Sequence, residues 1–435
     1  MNKEVDTSAP RVLVVTVSGW SNSVGSDTMS TLFSQYDPDK IASLYIRAEL
    51  SDSPVCRRYY HIIEGRVIKS LWNRKIKTGE AYQIDVRNIE NSANYELQKE
   101  RNLYSKFQRH RPWSIILLRE VIWKFGRWKT KELNDFLDDF NPDVVFFPIE
   151  SYIHLDRIIE YIIDYCKPQK IICNLWDDNF TYKQNPYSIG YRIHRFWLRR
   201  HYKRLVEKGH MFICQNQKMQ REFKEESGKE SVLLTKPIFD INDFHPYQPS
   251  RPIKMLYTGS LYINRDKTLY TLCKLIGKVN ENEQKIALEV FSGTQLAPKS
   301  VDKIERNKGC YFKGHIKQSE VFVKQREADV LLFIEDLSNK NLAARLSFST
   351  KITDYLKAGK CILAIGNKDL APIEYFKEQQ AGIVCNNKEE IYDALQRMVK
   401  DEKYIPVYAK AAYDCGVYNH DGNRIIQTLY KLIKE

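Results

Sequence analysis

Within six residues, Ser349-Thr350-Lys351-Ile352-Thr353-Asp354 brings together hydroxyls, a cation and a carboxylate. Ser349 and Thr350 are good N-cap residues. Ile352, Tyr355 and Leu356 mark one apolar helical face, and Gly359 suits a C-terminal cap. The spacing therefore predicts a loop, a short helix and a glycine stop, followed by a buried strand from Cys361 to Ile365. A helix start with hydroxyls, a lysine and free backbone N–H groups suits a phosphate. Asp354, three residues after Lys351, projects from a neighbouring position on the same face and can accept hydrogen bonds from sugar hydroxyls. A nucleotide-sugar presents both groups side by side. The same spacing also describes a surface helix with a solvated Lys–Asp pair ahead of a core strand, and spacing alone leaves both readings open.

Three further constellations could carry chemistry. Met255 to Asp266 reads as a strand ending at Gly259-Ser260, where a ligand or another backbone can approach closely. Arg265 follows, with a guanidinium able to fork onto a diphosphate; Lys267 is a weaker substitute, and a plain turn with a solvated arginine is the alternative. The strand Lys170–Leu175 runs into Trp176-Asp177-Asp178. Carboxylates at the C-terminal end of a parallel strand face the ligand crevice of an open α/β sheet, so Asp177 or Asp178 is expected to contact a sugar or acceptor hydroxyl, unless the pair only caps a helix. Glu150 is a weaker candidate of the same kind, and His154 belongs to its helix. Finally, Ser18 to Ser26 is a small-residue loop after the first strand. It is neither a Gly-x-Gly-x-x-Gly fingerprint nor a P-loop.

These residues are positioned by alternating apolar β runs and helical patterns, the mark of parallel-sheet α/β architecture. Strands are expected over 11–17, 143–149, 170–175 and 211–214, then over 253–257, 286–291, 311–312, 330–334, 361–365 and 382–385. Residues 236–252 hold four prolines and little periodicity, which predicts a linker. The expected division is a flexible terminus over 1–10, a first Rossmann-like domain over 11–236, a linker over 237–252 and a second Rossmann-like domain over 253–422.

The stretch from Phe348 to Lys360, with the strand after it, resembles the donor-site signature of retaining GT-B glycosyltransferases, broadly those of glycosyltransferase family 4. Their pattern reads approximately Ser-x-Lys-hydrophobic-x-Glu-Tyr-hydrophobic-x-x-Gly-Lys-Pro. Here Asp354 stands for the usual glutamate, Cys361 for the proline, and Leu346 for a second glutamate that many members carry eight residues earlier. The resemblance implies a GT-B fold: two Rossmann-like domains facing a cleft, with a C-terminal helix over 423–435 returning to the first domain. It implies a hexosyltransferase-type enzyme that moves a sugar from a nucleotide-sugar to a glycan acceptor, in bacterial capsule, exopolysaccharide or O-antigen synthesis. Arg265 and Lys351 would stabilise the leaving diphosphate and Asp354 would hold the ribose. The donor's own phosphate oxygen would help deprotonate the acceptor, so no cofactor or metal is expected. The backbone near His315 and Ile316 would pass the nucleobase. Gly19, Gly25, Gly259, Ser260, Ser349 and Thr350 would line the donor site. A non-catalytic GT-B partner subunit and a sugar-nucleotide 2-epimerase are the alternatives.

The chain's 435 residues suit two domains. Its nine cysteines show no Cys-x-x-Cys pair, which argues for buried thiols in a reducing compartment and against structural zinc or a disulfide framework. The first ten residues are polar and lack a signal-like apolar region. A net charge of +13 predicts an anionic partner. Lys106, Arg109, Arg111, Arg119, Lys124, Arg127, Lys129 and Lys131 are interleaved with Trp113, Trp123, Phe125 and Trp128, and residues 191–208 repeat the pattern. Basic residues beside tryptophans suit an anionic membrane face, and no nucleic-acid module accompanies them. The expected setting is cytoplasmic and peripheral on the inner face of the cell membrane, with a polyprenyl-diphosphate-linked acceptor.

Overall fold

The computed structural model describes residues 9–21, 28–84, 113–185, 187–241, 243–338 and 342–435. The chain forms two compact units, residues 1–234 with 425–435 and residues 235–424. Gly25, Lys106, Arg109 and Arg111 lie outside the described residues.

The first unit is built on an eight-stranded sheet. In chain order its strands are β1 (Val12–Thr16), β2 (Ile41–Tyr45), β3 (Arg58–Ile62), β4 (Gly79–Gln83), β5 (Val144–Ile149), β6 (Lys170–Leu175), β7 (Met211–Cys214) and β8 (Val232–Leu233). Their spatial order is β4-β3-β2-β1-β5-β6-β7-β8. Every described pairing is parallel except β3 with β4. Strands covered on both faces must be apolar on both faces, and Val12–Thr16 and Val144–Ile149 are buried along their whole length. The second unit carries β9 (Ile253–Thr258), β10 (Ile286–Phe291), β11 (Cys310–Gly314), β12 (Val330–Ile334), β13 (Cys361–Ile365) and β14 (Ile383–Cys385), in the order β11-β10-β9-β12-β13-β14, all parallel. In each sheet the order reverses beside its first strand, between β1 and β5 and between β9 and β12. In such sheets ligands bind outside the carboxyl ends of the strands at that reversal.

The helix Gly422–Lys434 belongs mostly to the first unit. Leu429 and Ile433 pack among Val12, Phe33 and Phe146. The Lys170 ammonium donates to the last carbonyls of that helix, Leu432 O at 3.0 Å and Ile433 O at 3.2 Å, where a cation meets the negative end of the helix dipole.

The proline-rich segment expected as a linker over 237–252 packs on the second unit. The Tyr247 hydroxyl donates to Asp329 O at 2.6 Å and accepts from Cys361 N at 3.3 Å. Asp329 accepts from the Ser250 backbone N–H and hydroxyl. Prolines limit periodicity without preventing side chains from docking. All nine cysteines are free thiols and eight are buried.

Candidate active site

Helix Thr350–Ala358 begins with Ser349 as N-cap, whose hydroxyl accepts from Lys351 N at 3.4 Å, and ends at Gly359 in the left-handed region, φ 63°. The buried face is Ile352, Tyr355 and Leu356, and the Tyr355 hydroxyl donates to Leu332 O of β12 at 3.2 Å. The helix is therefore bolted to the strand beside the reversal, with its N-terminal turn fixed.

Lys351 reaches from that turn to the end of β9. Its ammonium lies 5.0 Å from the centroid of the Tyr257 ring. A Cβ on Gly259 would fall 1.7 Å from Lys351 Nζ, and Gly259 itself has φ 154°. The positive φ favours glycine here, and an added Cβ would displace the Lys351 ammonium from its place. Burial first, then the nearby Arg265 charge, lowers the Lys351 pKa to about 8, with Glu335 and Asp354 opposing. Among the described residues the ammonium has no hydrogen-bond or ion-pair partner. A crowded, unpaired cation at the carboxyl edge of a sheet reversal is prepared for an anion that the protein does not itself supply.

Arg265 is paired within the second unit. It forks onto Glu335, at 2.7 Å from Nη2 to Oε1 and 3.0 Å from Nε to Oε2, and Nη1 meets the Ser260 hydroxyl at 3.2 Å. The side chains are 15% and 4% exposed, so this is a buried pair. Burial opposes the guanidinium charge, but the Glu335 carboxylate holds its pKa above the usual value. Glu335 follows β12 directly, and no sequence signal singled it out. Asn264 Nδ2 donates to Asp336 at 2.8 Å and the Thr268 hydroxyl accepts from Leu337 N at 3.3 Å, so the loop after β9 is stitched to the loop after β12. That turn places Ile263 and Asn264 at φ 59° and 61°, an uncommon conformation for a β-branched residue.

Asp354 lies one turn beyond Lys351, with Lys236 Nζ 3.8 Å away. Its side chain keeps 37% of its exposure, yet the protein around it raises its pKa, with Lys236, Lys357 and Lys351 pulling the other way. Lys236 is itself buried. Its place at the head of a proline-rich segment marks no partner in the sequence. His315 is exposed after β11, where Gly314 has φ 72°, and Ile316 is half-buried. Leu346 is fully buried.

On the first unit, Asp177 is exposed just past β6. Asp178 is fully buried, and its carboxylate accepts from Thr181 N at 2.9 Å and from the Thr181 hydroxyl at 2.5 Å. Asp178 therefore shapes its loop. Gly19 follows β1. Among the described residues no three His, Cys, Asp or Glu side chains form a group able to hold a metal.

Two helices of the first unit carry apolar side chains on their exposed faces as well as on their buried ones. Helix Trp113–Phe125 buries Glu120 and Trp123 but exposes Ile115, Leu118, Val121 and Phe125. Glu120 bonds His154 at 2.9 Å, and Arg119 pairs with the buried Glu64. Helix Ile189–Lys208 exposes Ile189, Ile193, Phe196 and Trp197. The two meet where an added Cβ on Gly190 would sit 2.4 Å from Trp113 Cβ. Arg200 stacks at 5.6 Å from the Trp197 centroid. Not every basic residue of this helix is free, because Arg195 is buried and donates to Asp178 O at 2.8 Å. No described helix is long and apolar enough to cross a membrane.

No protein-family model and no curated protein matches the chain. Solved structures match along nearly its whole length. Anabaena Alr3699/HepE in complex with UDP is 10% identical with a TM-score of 0.59, covering 97% of this chain and 99% of its own. An E. coli trehalose-6-phosphate structure bound with UDP-2-fluoro glucose is 11% identical with a TM-score of 0.58, covering 98% and 99%. A Listeria monocytogenes protein assigned as a UDP-N-acetylglucosamine 2-epimerase is 9% identical with a TM-score of 0.53, covering 98% and 96%. The chain has the GT-B fold of the glycosyltransferases among these structures.

Proposed function

We propose that the protein is a retaining GT-B glycosyltransferase that uses a nucleotide-sugar donor. The observation that carries this reading is the unpaired Lys351 ammonium, held against Gly259 at the carboxyl edge of the second sheet, one turn before Asp354. A nucleoside diphosphate leaving a sugar gains negative charge, and preorganised donors stabilise that charge most where water is scarce. Lys351 and the first N–H groups of helix Thr350–Ala358 supply it. Asp354 accepts hydrogen bonds from the ribose. Arg265 acts through the Ser260 turn rather than as a free cation, because Glu335 already neutralises it. With charge stabilisation supplied this way, the reaction needs no metal, and the donor phosphate assists deprotonation of the acceptor on the leaving-group face.

The exposed apolar residues of these two helices support a membrane-facing role in bacterial surface-polysaccharide assembly, with a polyprenyl-diphosphate-linked acceptor. Exposed Phe196, Trp197, Leu118 and Phe125 with neighbouring Arg200 and Lys124 suit the interface of an anionic bilayer.

The test is a thermal-shift and calorimetric screen against UDP-, GDP-, dTDP- and CMP-sugars, followed by product analysis. The transferase reading expects one nucleotide-sugar to bind and its nucleotide to be released only when a glycan acceptor is added. Inversion of the sugar without any acceptor points to an epimerase, and binding without turnover across the panel points to a partner subunit.

A further inference from the structure

Among the described residues β14 forms one margin of the second sheet and pairs with β13 alone. Gly366 N donates to Cys385 O at 3.1 Å. The alternation of a parallel ladder therefore turns Ile383 and Cys385 toward β13, and the N–H and C=O groups of Gly382 and Val384 outward. Gly382 and Val384 line a cavity of about 720 Å³. Its walls are the end of helix Ala371–Glu378, helix Lys388–Lys400 and the start of helix Tyr404–Asn419. An open strand edge is a template for another strand, and here the edge lies in a groove with a defined lining.

Three cations stand in that lining. Lys377, Arg397 and Lys403 are exposed, and among the described residues none of their side chains forms a hydrogen bond or an ion pair. The Arg397 guanidinium lies 4.4 Å from the centroid of the Tyr404 ring, and Tyr408 meets that ring edge-on at 5.3 Å. Stacking fixes the guanidinium and leaves its N–H groups for a carboxylate. The two acids of the lining are engaged with their own loops. Glu390 accepts from Asn386 N at 2.6 Å and from Asn387 Nδ2 at 2.8 Å, and Asp401 accepts from Lys403 N at 3.0 Å. Val384 and the exposed Val407 add apolar surface between the cations.

We propose that the free edge of β14 is a docking site for an acidic, extended peptide segment of a partner protein, which adds as a strand beside β14 and lays its carboxylates against Lys377, Arg397 and Lys403. Main-chain bonds to Gly382 and Val384 supply the pairing, and the cations select the sequence. β12 and β13 separate this edge from β9, where Gly259 and Lys351 meet, so the inference stands apart from the transferase reading. Lysines along an edge also keep other strands away. The two roles differ in one respect: only a docking site binds an acidic strand.

Fluorescence anisotropy of the full chain with a rhodamine-labelled peptide of alternating glutamate and valine measures the docking. This peptide should bind about tenfold more tightly than its lysine–valine counterpart, and its affinity should fall as salt rises. Lys377→Glu combined with Lys403→Glu should weaken binding about tenfold and leave the melting temperature unchanged, since both side chains are exposed. Val384→Pro removes an outward N–H while sparing the β13 ladder and should abolish binding. Two further peptides, each N-methylated on one alternate set of amides, keep the same charge. The one methylated on the set facing β14 should lose binding and the other should retain it, a test that needs no variant of the protein. Hydrogen exchange at the Val384 amide should slow when the acidic peptide is bound. No binding of the acidic peptide, equal binding of the acidic and lysine peptides, or equal behaviour of the two methylated peptides overturns the docking site. Dimerisation of the native chain in sedimentation that is lost in Val384→Pro would assign the edge to a second copy and overturn it as well.

Discussion

Lys351→Met should make the protein more stable and functionally inert at the same time. The substitution keeps the length of the side-chain stem over Tyr257 and removes the charge. Lys351 falls from 10.5 to about 8 in the folded state, and a drop of that size corresponds to about 3 kcal/mol against the charged form. The ammonium still meets some solvent, so the part recovered on removing it is about 1–2 kcal/mol. For a domain the size of the second unit, residues 235–424, that predicts a rise in melting temperature of about 2–8 °C at pH 7. The sign of the pH dependence is an independent check. The folded pKa lies below the unfolded one, so between about 8 and 10.5 the unfolded chain binds more protons and native stability rises with pH across that window. Below 8 both states carry the proton and the whole penalty is present. Thermal and urea unfolding of both proteins at pH 7 and pH 9.5 measures this: the variant should exceed wild type at pH 7, and the gap should narrow at pH 9.5. A variant less stable than wild type at pH 7, or a gap independent of pH, would refute the claim that the charged Lys351 destabilises the fold.

Gly259→Ala places a methyl group on the lysine ammonium and should weaken nucleotide binding at least tenfold. Its stability cost should shrink when combined with Lys351→Met, a non-additivity that a double-mutant cycle on unfolding would expose. Arg265→Ala leaves Glu335 buried and unpaired and should cost about 3 kcal/mol in urea unfolding, most of it restored by adding Glu335→Gln. Asp354→Asn should reduce the preference for UDP over 2′,3′-dideoxy-UDP in calorimetry while leaving diphosphate-dependent binding largely in place. Phe196→Glu with Trp197→Glu should abolish flotation with vesicles containing phosphatidylglycerol and leave the melting temperature unchanged, since both side chains are exposed.

The second unit was the more legible half. Its strands are short apolar runs, and β10, β12 and β13 occupy the residues their composition suggests. The first-unit strands β2, β3 and β4 went unseen. Their sequences mix tyrosines with polar residues and show no apolar run, and their buried rings stack on one another. His61 lies flat on Tyr45 at 4.4 Å, and burial lowers its pKa to about 3. No periodicity rule anticipates a neutral histidine in a sheet core. In the site, the helix from Thr350, its Ser349 cap and the Lys351–Asp354 spacing could be read directly because all are local. Glu335, Lys236 and the Gly259–Lys351 approach could not, because each pairs residues far apart in sequence. The expectation that Arg265 is the diphosphate cation came from its distance after a glycine turn. A position along the chain does not show that Glu335, directly after β12, pairs with it.

Calorimetry of UDP, GDP, dTDP and CMP with the native protein and Lys351→Met at pH 7 and pH 9.5 bears most directly on the second unit. A nucleoside diphosphate should bind the native protein at pH 7, bind it more weakly at pH 9.5 where the ammonium has lost its proton, and fail to bind the methionine variant at either pH. Equal affinity of both proteins for the same nucleotide, unaffected by pH, would contradict it.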